Sequence, residues 1–488
     1  MRTVSGPTDT VVVVGAGLGG LSAALWLAGA GRRVVVLERE PHPGGRAGIR
    51  TAGGYRFDTG PTVLTTPEVI EAAFAAVGER LVDWLTLYPV SPLYRARFAD
   101  GSQLDVHADP DRMAEEVARV CGAAEAAGYR RFVRFLHRLY RVEMAGFIDR
   151  NLDSPASLLG PDLARLVALG GFRRLAPKVA GYLRDPRTRR VFTFQAMYAG
   201  LSPFQALALY AVISYLDCVG GVYFPAGGVH ALPVAMAGAA ARHGVEFRYR
   251  TEVVRVERSG RRATAVLTRD GERIPADVVV LNPDLPVAQR DLLGVRPRRL
   301  RYSPSCAVLL AGSRTGYPGL AHHTISFGTA WRQTFRELLH ERRPMRDPSF
   351  LVSCPTVTDP GLAPPGRHSY YVLFPTPNLS GGQDWVAIGP AYRDHMVATL
   401  EARGFPGFGA GVEVEHLTTP AGWHRLGLAA GTPFGPAHTL RQTGPFRPGN
   451  LFGENVVFTG SGTHPGVGVP TVLISGRLAA ERIVGPVR

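Results

Sequence analysis

Two glycine-rich turns, one near each end of the chain, carry the residues whose types and spacing suit chemistry. The first is Gly15-Ala16-Gly17-Leu18-Gly19-Gly20. It follows the apolar run Val11-Val12-Val13-Val14, opens into Leu21-Ser22-Ala23-Ala24-Leu25-Trp26-Leu27, and is succeeded by Val34-Val35-Val36-Leu37-Glu38. Strand, tight turn, helix and strand in that order make a cradle for a dinucleotide. Gly15 permits the turn, Gly17 lets the backbone approach a pyrophosphate, and Gly20 lets the helix pack closely on the strand, while the helix N-terminus faces the anion. Glu38 falls where a carboxylate takes a ribose hydroxyl, about twenty positions beyond the glycines. The spacing alone is weak evidence; the strand before it, the helix after it and the acid beyond make it specific.

The second turn is Ser461-Gly462-Thr463-His464-Pro465-Gly466-Val467-Gly468-Val469-Pro470. The apolar run Val456-Val457-Phe458 and Thr459-Gly460 precede it, and a helical pattern over residues 471–483 follows. Such a turn presents backbone N–H groups and a helix dipole to a bound cofactor and its phosphates.

The elements that must position these turns spread over a chain of 488 residues, long enough for two or three domains. Hydrophobic residues make up 45% and charged residues 19%, which fits a globular protein rather than a disordered one. A formal charge of +15 raises the question of nucleic acid or an anionic membrane. Lys178 is the only lysine, so the charge is nearly all arginine, and there is no basic tail or nucleic-acid module. Nucleic acid is therefore not expected as a partner. Cys121, Cys218, Cys306 and Cys354 are scattered, without zinc spacing, and point to a reducing cytosolic compartment and no bound metal. Residues 1–9 do not read as a signal peptide, and no stretch reads as a membrane span.

Along the chain, Val69, Ile70, Ala73, Phe74 and Val77 have helical spacing, and Asp100-Gly101 marks a hairpin. Two stretches mix arginine with apolar residues: 129–148, and 173–190 with Lys178. They suit either an anionic bilayer surface or an ordinary solvated face. Residues 204–216 are apolar and almost uncharged, as core or as the wall of a cavity. Strand-like segments return near 246–281, so the expected fold is α/β: a Rossmann-like domain assembled from 1–66, 227–283 and 446–488. An inserted mixed-sheet and helical substrate domain would comprise 67–226 and 284–445, the substrate-binding and membrane-facing regions.

Pro43-Gly44-Gly45-Arg46 and Phe57-Asp58-Thr59-Gly60-Pro61-Thr62 resemble the two-dinucleotide-binding-domain flavoproteins, which favours FAD over NAD. Over essentially its whole length the sequence resembles bacterial carotenoid desaturases of the phytoene desaturase type. The resemblance also rests on Tyr129-Arg130-Arg131-Phe132, Ala321-His322-His323-Thr324, residues 358–366 and the run from Gly460 to Val469. Two positions depart from that family: Ser461 replaces a small apolar residue or glycine, and Ala226 stands where some relatives have arginine. The resemblance implies cofactor contacts at Gly15, Gly17, Gly20, Glu38, Arg39, Gly45, Arg46, Gly60, Pro61, Val254, Gly460, Gly462, Thr463 and Val469. It implies FAD as cofactor, a hydrophobic polyene as substrate, conversion of phytoene stepwise toward lycopene, and peripheral attachment to the inner face of the cell membrane. The sequence leaves the terminal electron acceptor open, with oxygen and a quinone as the candidates.

A polyene offers no carboxylate, phosphate or carbonyl to grip, and its allylic C–H bonds are too weakly acidic for a side chain to deprotonate first. Hydride loss to the flavin followed by proton loss is the expected order, with the cofactor carrying the hard step. Candidate groups for the proton or the cation are few. Asp162 and Arg165 share a helical face and resemble a similarly spaced pair in relatives. Asp217 closes the apolar segment. His322, His323 and His464 are not assigned as bases. The competing readings are another carotenoid reaction, an FAD amine oxidase with a compact aromatic site, and a carotenoid- or lipid-binding protein that keeps FAD as a structural element.

Overall fold

The structure is a computed structural model that describes residues 1–487. Its first sheet has six strands and gathers pieces distant in sequence. Thr10–Val14 lies at its centre, with Val278–Leu281 and Arg33–Leu37 parallel on either side. Val456–Phe458 and Glu246–Arg248 extend it outward, and Leu451–Phe452 closes one edge antiparallel. An unbroken valine run suits this position because both faces are covered. Val11 and Val13 face one core with Leu21 and Leu25, while Val12 and Val14 face another with Val253, Val256 and Val266. The first core is roofed by the helices Leu18–Gly29, Ala231–Arg242 and Val469–Val484. The second is covered by a three-stranded antiparallel sheet, Val253–Ser259, Arg262–Thr268 and Arg273–Pro275.

Gly20 and Gly476 set how closely these layers approach. A methyl group on Gly20 would lie 2.2 Å from the Gly15 carbonyl oxygen, and one on Gly476 would lie 2.5 Å from that of Gly19. Only a bare backbone fits at either contact.

The second sheet has seven strands, ordered 412–418, 305–313, 368–376, 350–353, 323–327, 94–98 and 103–106. Its pairs are antiparallel except His323–Phe327 with Tyr94–Phe98. Side chains alternate across it. Ala307, Leu309, Val352, Val372 and Phe374 pack on one side against Trp385, Met396 and Leu400 of the helix Trp385–Ala402. The other side faces the interior space between the two sheets.

Helices from 110 to 218 wall that space. In Ala123–Glu143, Tyr129, Phe132, Phe135, Leu136 and Leu139 are buried in the core, whereas Arg130, Arg131, Arg134, Arg138 and Arg141 face solvent. The apolar stripe is thus consumed by the fold. The segment is an amphipathic helix whose arginine face is solvated. In the second basic stretch several arginines are likewise held by the chain itself: Arg187 pairs with Asp185, and Arg190 donates to the carbonyls of Gly328 and Thr329. Among the described residues no helix is long and apolar enough to cross a membrane, and no cluster of metal-ligating side chains is present.

Candidate functional site

Both glycine-rich turns open on one cavity of about 1660 Å³, well above the usual size of a small-molecule pocket. At the first turn the backbone is bare on both sides. Gly17 bridges to Gly44, Gly45 has a φ of 55°, and a methyl on Gly45 would lie 3.2 Å from the Gly17 Cα. The helix Leu18–Gly29 has no side-chain cap at Gly17, so its first N–H groups remain available. Val469–Val484 likewise begins at Gly468 without a side-chain cap. Two uncapped helix N-termini facing one cavity fit an anionic dinucleotide, and so does the room between the glycine backbones.

Glu38 is buried, and its two carboxylate oxygens accept from the backbone N–H groups of Ala16 at 2.7 Å and Glu40 at 2.9 Å. The acid is thereby fixed against the turn, with lone pairs left for a ribose hydroxyl. Arg39 and Val254 sit at the cavity rim. Arg46 donates to Ser461 Oγ at 2.5 Å and pairs with Asp284 at 3.2 Å. Ser461, a departure from the resemblance, therefore ties the second turn to the Gly44-Gly45-Arg46 loop. Gly60 must be glycine because a methyl there would meet the Arg46 carbonyl oxygen, and Pro61 lines the cavity beside it. Gly460 has a φ of 99°, and a methyl on Gly462 would lie 2.6 Å from Leu285 Cβ. Thr463 Oγ1 shares a buried network with Ser475 Oγ, and Val469 opens the last helix on the cavity wall.

Asn282 was not foreseen. It follows the strand Val278–Leu281 and stands between the two turns: its Oδ1 would be 2.5 Å from a methyl on Gly17, and its Nδ2 2.9 Å from one on Gly460. Asn282-Pro283 after an apolar strand was its only sequence signal. Arg447, buried beneath the second turn, was also missed and carried none.

Beyond the turns the cavity becomes apolar, and the second sheet supplies its floor. Ile325, Leu351, Leu373 and Val308 align in one row across four strands, and Cys306 pairs with Pro375 in another. A third row, His323, Ser353, Tyr371 and Leu310, is the polar end of this surface. His323 has no partner for either ring nitrogen. Burial holds its imidazolium form far below the ordinary range, pushes His322 down to about 3, and with Arg447 nearby pushes His464 down to about 4. All three rings are neutral at physiological pH.

Two carboxyl groups line the apolar part. Glu143, at the end of its helix, has an unpartnered Oε1, and burial alone raises its carboxyl well above the carboxylate range. Asp217, at the end of Ala211–Cys218, is buried and is pushed up to about 6 by that burial, with a single weak contact from Gln195 Nε2 at 3.5 Å. It is ionised at neutral pH and faces the cavity.

Asp162 and Arg165 are placed differently from the sequence expectation. They form an i,i+3 ion pair at 2.7 Å, with 33% and 64% of their side chains exposed, and neither lines the cavity. Their helix, Pro161–Ala168, turns Leu163 and Leu166 to the cavity and this pair outward. Shared spacing put both on one face, but the apolar residues claimed the inner one. A surface pair of this kind is worth about 0.2–1 kcal/mol. Asp162→Asn should therefore leave FAD content and turnover within about twofold of wild type in a steady-state assay; a hundredfold loss would restore the pair to the reaction.

The profile of the family described as flavin containing amine oxidoreductase matches residues 18–484. The chain belongs to that family. Within it, the sequence is 60% identical to a phytoene dehydrogenase from Streptomyces griseus, over all of this chain and 97% of that one. It is 38% identical to a zeta-carotene-forming phytoene desaturase from Myxococcus xanthus, covering 97% and 93%. It is 33% identical to a lycopene-forming phytoene desaturase from Paracoccus, covering 99% and 98%. These matches place it in the carotenoid desaturase branch, and it is an FAD-dependent oxidoreductase acting on CH–CH groups. Solved structures share the fold at low identity: an oxidoreductase from Methanosarcina mazei, TM-score 0.62 at 17% identity, covering 96% and 98%, and putrescine oxidase, TM-score 0.62 at 16%, covering 98% and 100%.

Proposed function

We propose that this protein desaturates phytoene, introducing double bonds stepwise toward lycopene. The observation that carries the reading is the single cavity that joins a dinucleotide cradle to a long apolar floor. A polyene can be recognised only by shape and by removal of its surface from water, at roughly 25 cal/mol per Å². The rows from Val308 to Ile325 supply such a surface without charged groups.

Gly15, Gly17, Glu38, Gly45, Arg46 and the turn from Gly460 to Val469 would hold FAD, which would supply a hydride acceptor. The chain's own residues do the rest. The floor aligns the polyene and excludes water, which protects the allylic cation left when a hydride departs with its bonding pair. A proton from the neighbouring carbon then passes to the Asp217 carboxylate, and that C–H pair becomes the new π bond. A cation is acidic enough that a carboxylate raised to about 6 is an ample base.

Incubation with FAD and phytoene, followed by chromatography over time, tests the reading. Products with successively longer absorbing chromophores are expected, with intermediates preceding lycopene. Accumulation of one early product would end the route there, and no product would remove it.

The exposed apolar residues at the cavity also support peripheral membrane attachment, which we place at the inner face of the cell membrane as part of the proposal. Phe172, Leu440 and Phe446 line the cavity and also reach solvent, at 43%, 57% and 40% exposure, with Leu159 and Val167 exposed nearby in sequence. Exposed Arg165, Arg173, Arg174 and Arg441 interleave with them. This apolar mouth with its basic rim suits an anionic bilayer, from which a water-insoluble substrate enters directly. In flotation with phosphatidylglycerol liposomes the protein should rise with the lipid, and Phe172→Ser/Leu440→Ser/Phe446→Ser should stay in the dense fraction with its FAD intact. Equal flotation of the two would place the contact elsewhere.

A further inference from the structure

Arg447 is a buried cation beneath the second turn, and among the described residues no carboxylate forms an ion pair with it. It is 2% exposed. Its Nε donates to the Thr463 carbonyl at 2.9 Å, Nη1 to that of Gln442 at 3.2 Å, and Nη2 to those of Pro436 at 3.3 Å and Ser461 at 2.6 Å. All four acceptors are neutral. Among the described residues it has no carboxylate within ion-pair distance; Asp284, which bears on it electrostatically, is already paired with Arg46 and accepts from Ala429 N. Burial lowers the guanidinium only to about 10, so it remains charged. His438 and His464, which burial and secondarily its charge push below the ordinary imidazole range, lie beside it.

An unpaired buried charge costs several kcal/mol. Clamping a turn does not require that cost, because carbonyl oxygens need donors and a neutral amide has them. The charge is explained if negative charge arrives at the turn from outside the chain. Arg447 grips the turn from below at Ser461 and Thr463, whose neighbours Gly462, His464 and Pro465 line the cavity. The Gly17 end of the cradle already has the helix dipole for the pyrophosphate.

We propose that Arg447 is an electrostatic positioning residue for the flavin: its fixed charge stabilises the negative charge the flavin acquires on accepting a hydride, and so raises the cofactor's midpoint potential. The proposal rests on the FAD-dependent reading of the site. Hydride acceptance adds two electrons and one proton, hence one negative charge, to the bound ring. An apolar cavity by itself opposes that charge, so a potential above that of free FAD needs positive charge nearby, from a cation in addition to the uncapped N-terminus of Val469–Val484.

Anaerobic redox titration of the FAD-loaded protein against reference dyes is the test. Arg447→Gln, which keeps donors and removes the charge, should shift the reduction equilibrium toward oxidised flavin by tenfold or more, about 30 mV for a two-electron couple. Arg447→Lys, which keeps the charge and loses the fork, should stay within about threefold. An unchanged potential in Arg447→Gln, or equal shifts in both variants, would overturn the proposal in favour of a clamp. The wild-type protein supplies a check independent of either variant's folding: its bound flavin must have a higher midpoint than free FAD, and a value at or below free FAD would also overturn it. Wild-type protein that binds no FAD would instead refute the cofactor reading beneath the proposal.

Discussion

Asp217→Asn should lose at least a hundredfold in kcat while retaining its FAD and its fold. The magnitude follows from positioned proton transfer, which contributes about 10²–10⁴-fold. Asparagine preserves the shape of the side chain and the contact with Gln195 but cannot accept the proton. In the wild type, the rate should fall as pH drops through about 6, because desolvation has raised the carboxyl to that value and only its ionised form serves as base. In the variant, that limb of the profile should vanish.

Stability provides the opposite sign. A carboxyl whose folded-state value is raised favours the fold at low pH; that contribution is full below the ordinary value of 3.8 and is lost as pH rises to about 6, above which the whole cost of burying the charge stands. A shift of two units corresponds to roughly 3 kcal/mol. Asp217→Asn removes the cost, so its Tm at pH 8 should equal or exceed that of wild type. A thermally intact variant with unchanged turnover would exclude Asp217 from the reaction.

Gly20→Ala should yield protein without FAD. The added methyl would lie 2.2 Å from a backbone oxygen, that of Gly15, and cannot be relieved by rotating a side chain. The helix Leu18–Gly29 must lift from the strand Thr10–Val14, carrying its N-terminal N–H groups away from the cradle. The loss of flavin absorbance in purified protein, by tenfold or more per polypeptide, is the readout. Full flavin occupancy would show that the helix can shift without disturbing the cofactor. The contrast with Asp217→Asn is useful, since one variant removes the cofactor and the other leaves it in place without turnover.

Much of the cradle was legible because its physics is local. Gly15, Gly17 and Gly20 are fixed by turn and packing geometry within a dozen residues, and the valine run announces a strand covered on both faces. The parallel sheet then follows from the return of apolar strands near 278 and 456. Tertiary choices were not legible. Spacing put Asp162 and Arg165 on one helical face, but nothing local says that Leu163 and Leu166 would turn that face outward. The arginines of 129–148 suited a bilayer or a solvated face, and spacing alone does not say that the apolar residues between them pack into the core. Arg447 was silent, because its importance comes from four carbonyls contributed by residues brought to it by the fold. Ser461, a departure from the family pattern, bonds Arg46 across 415 positions, a contact that no local spacing announces.

The central claim is that flavin bound at the two glycine-rich turns oxidises a polyene in the adjoining apolar cavity. Anaerobic single turnover tests it most directly: FAD-loaded protein is mixed with phytoene in liposomes, and the flavin and polyene bands are followed together. Bleaching of the flavin with matching growth of a longer conjugated chromophore, one double bond per flavin, is the predicted result. Flavin that stays oxidised while phytoene is recovered unchanged would contradict the account.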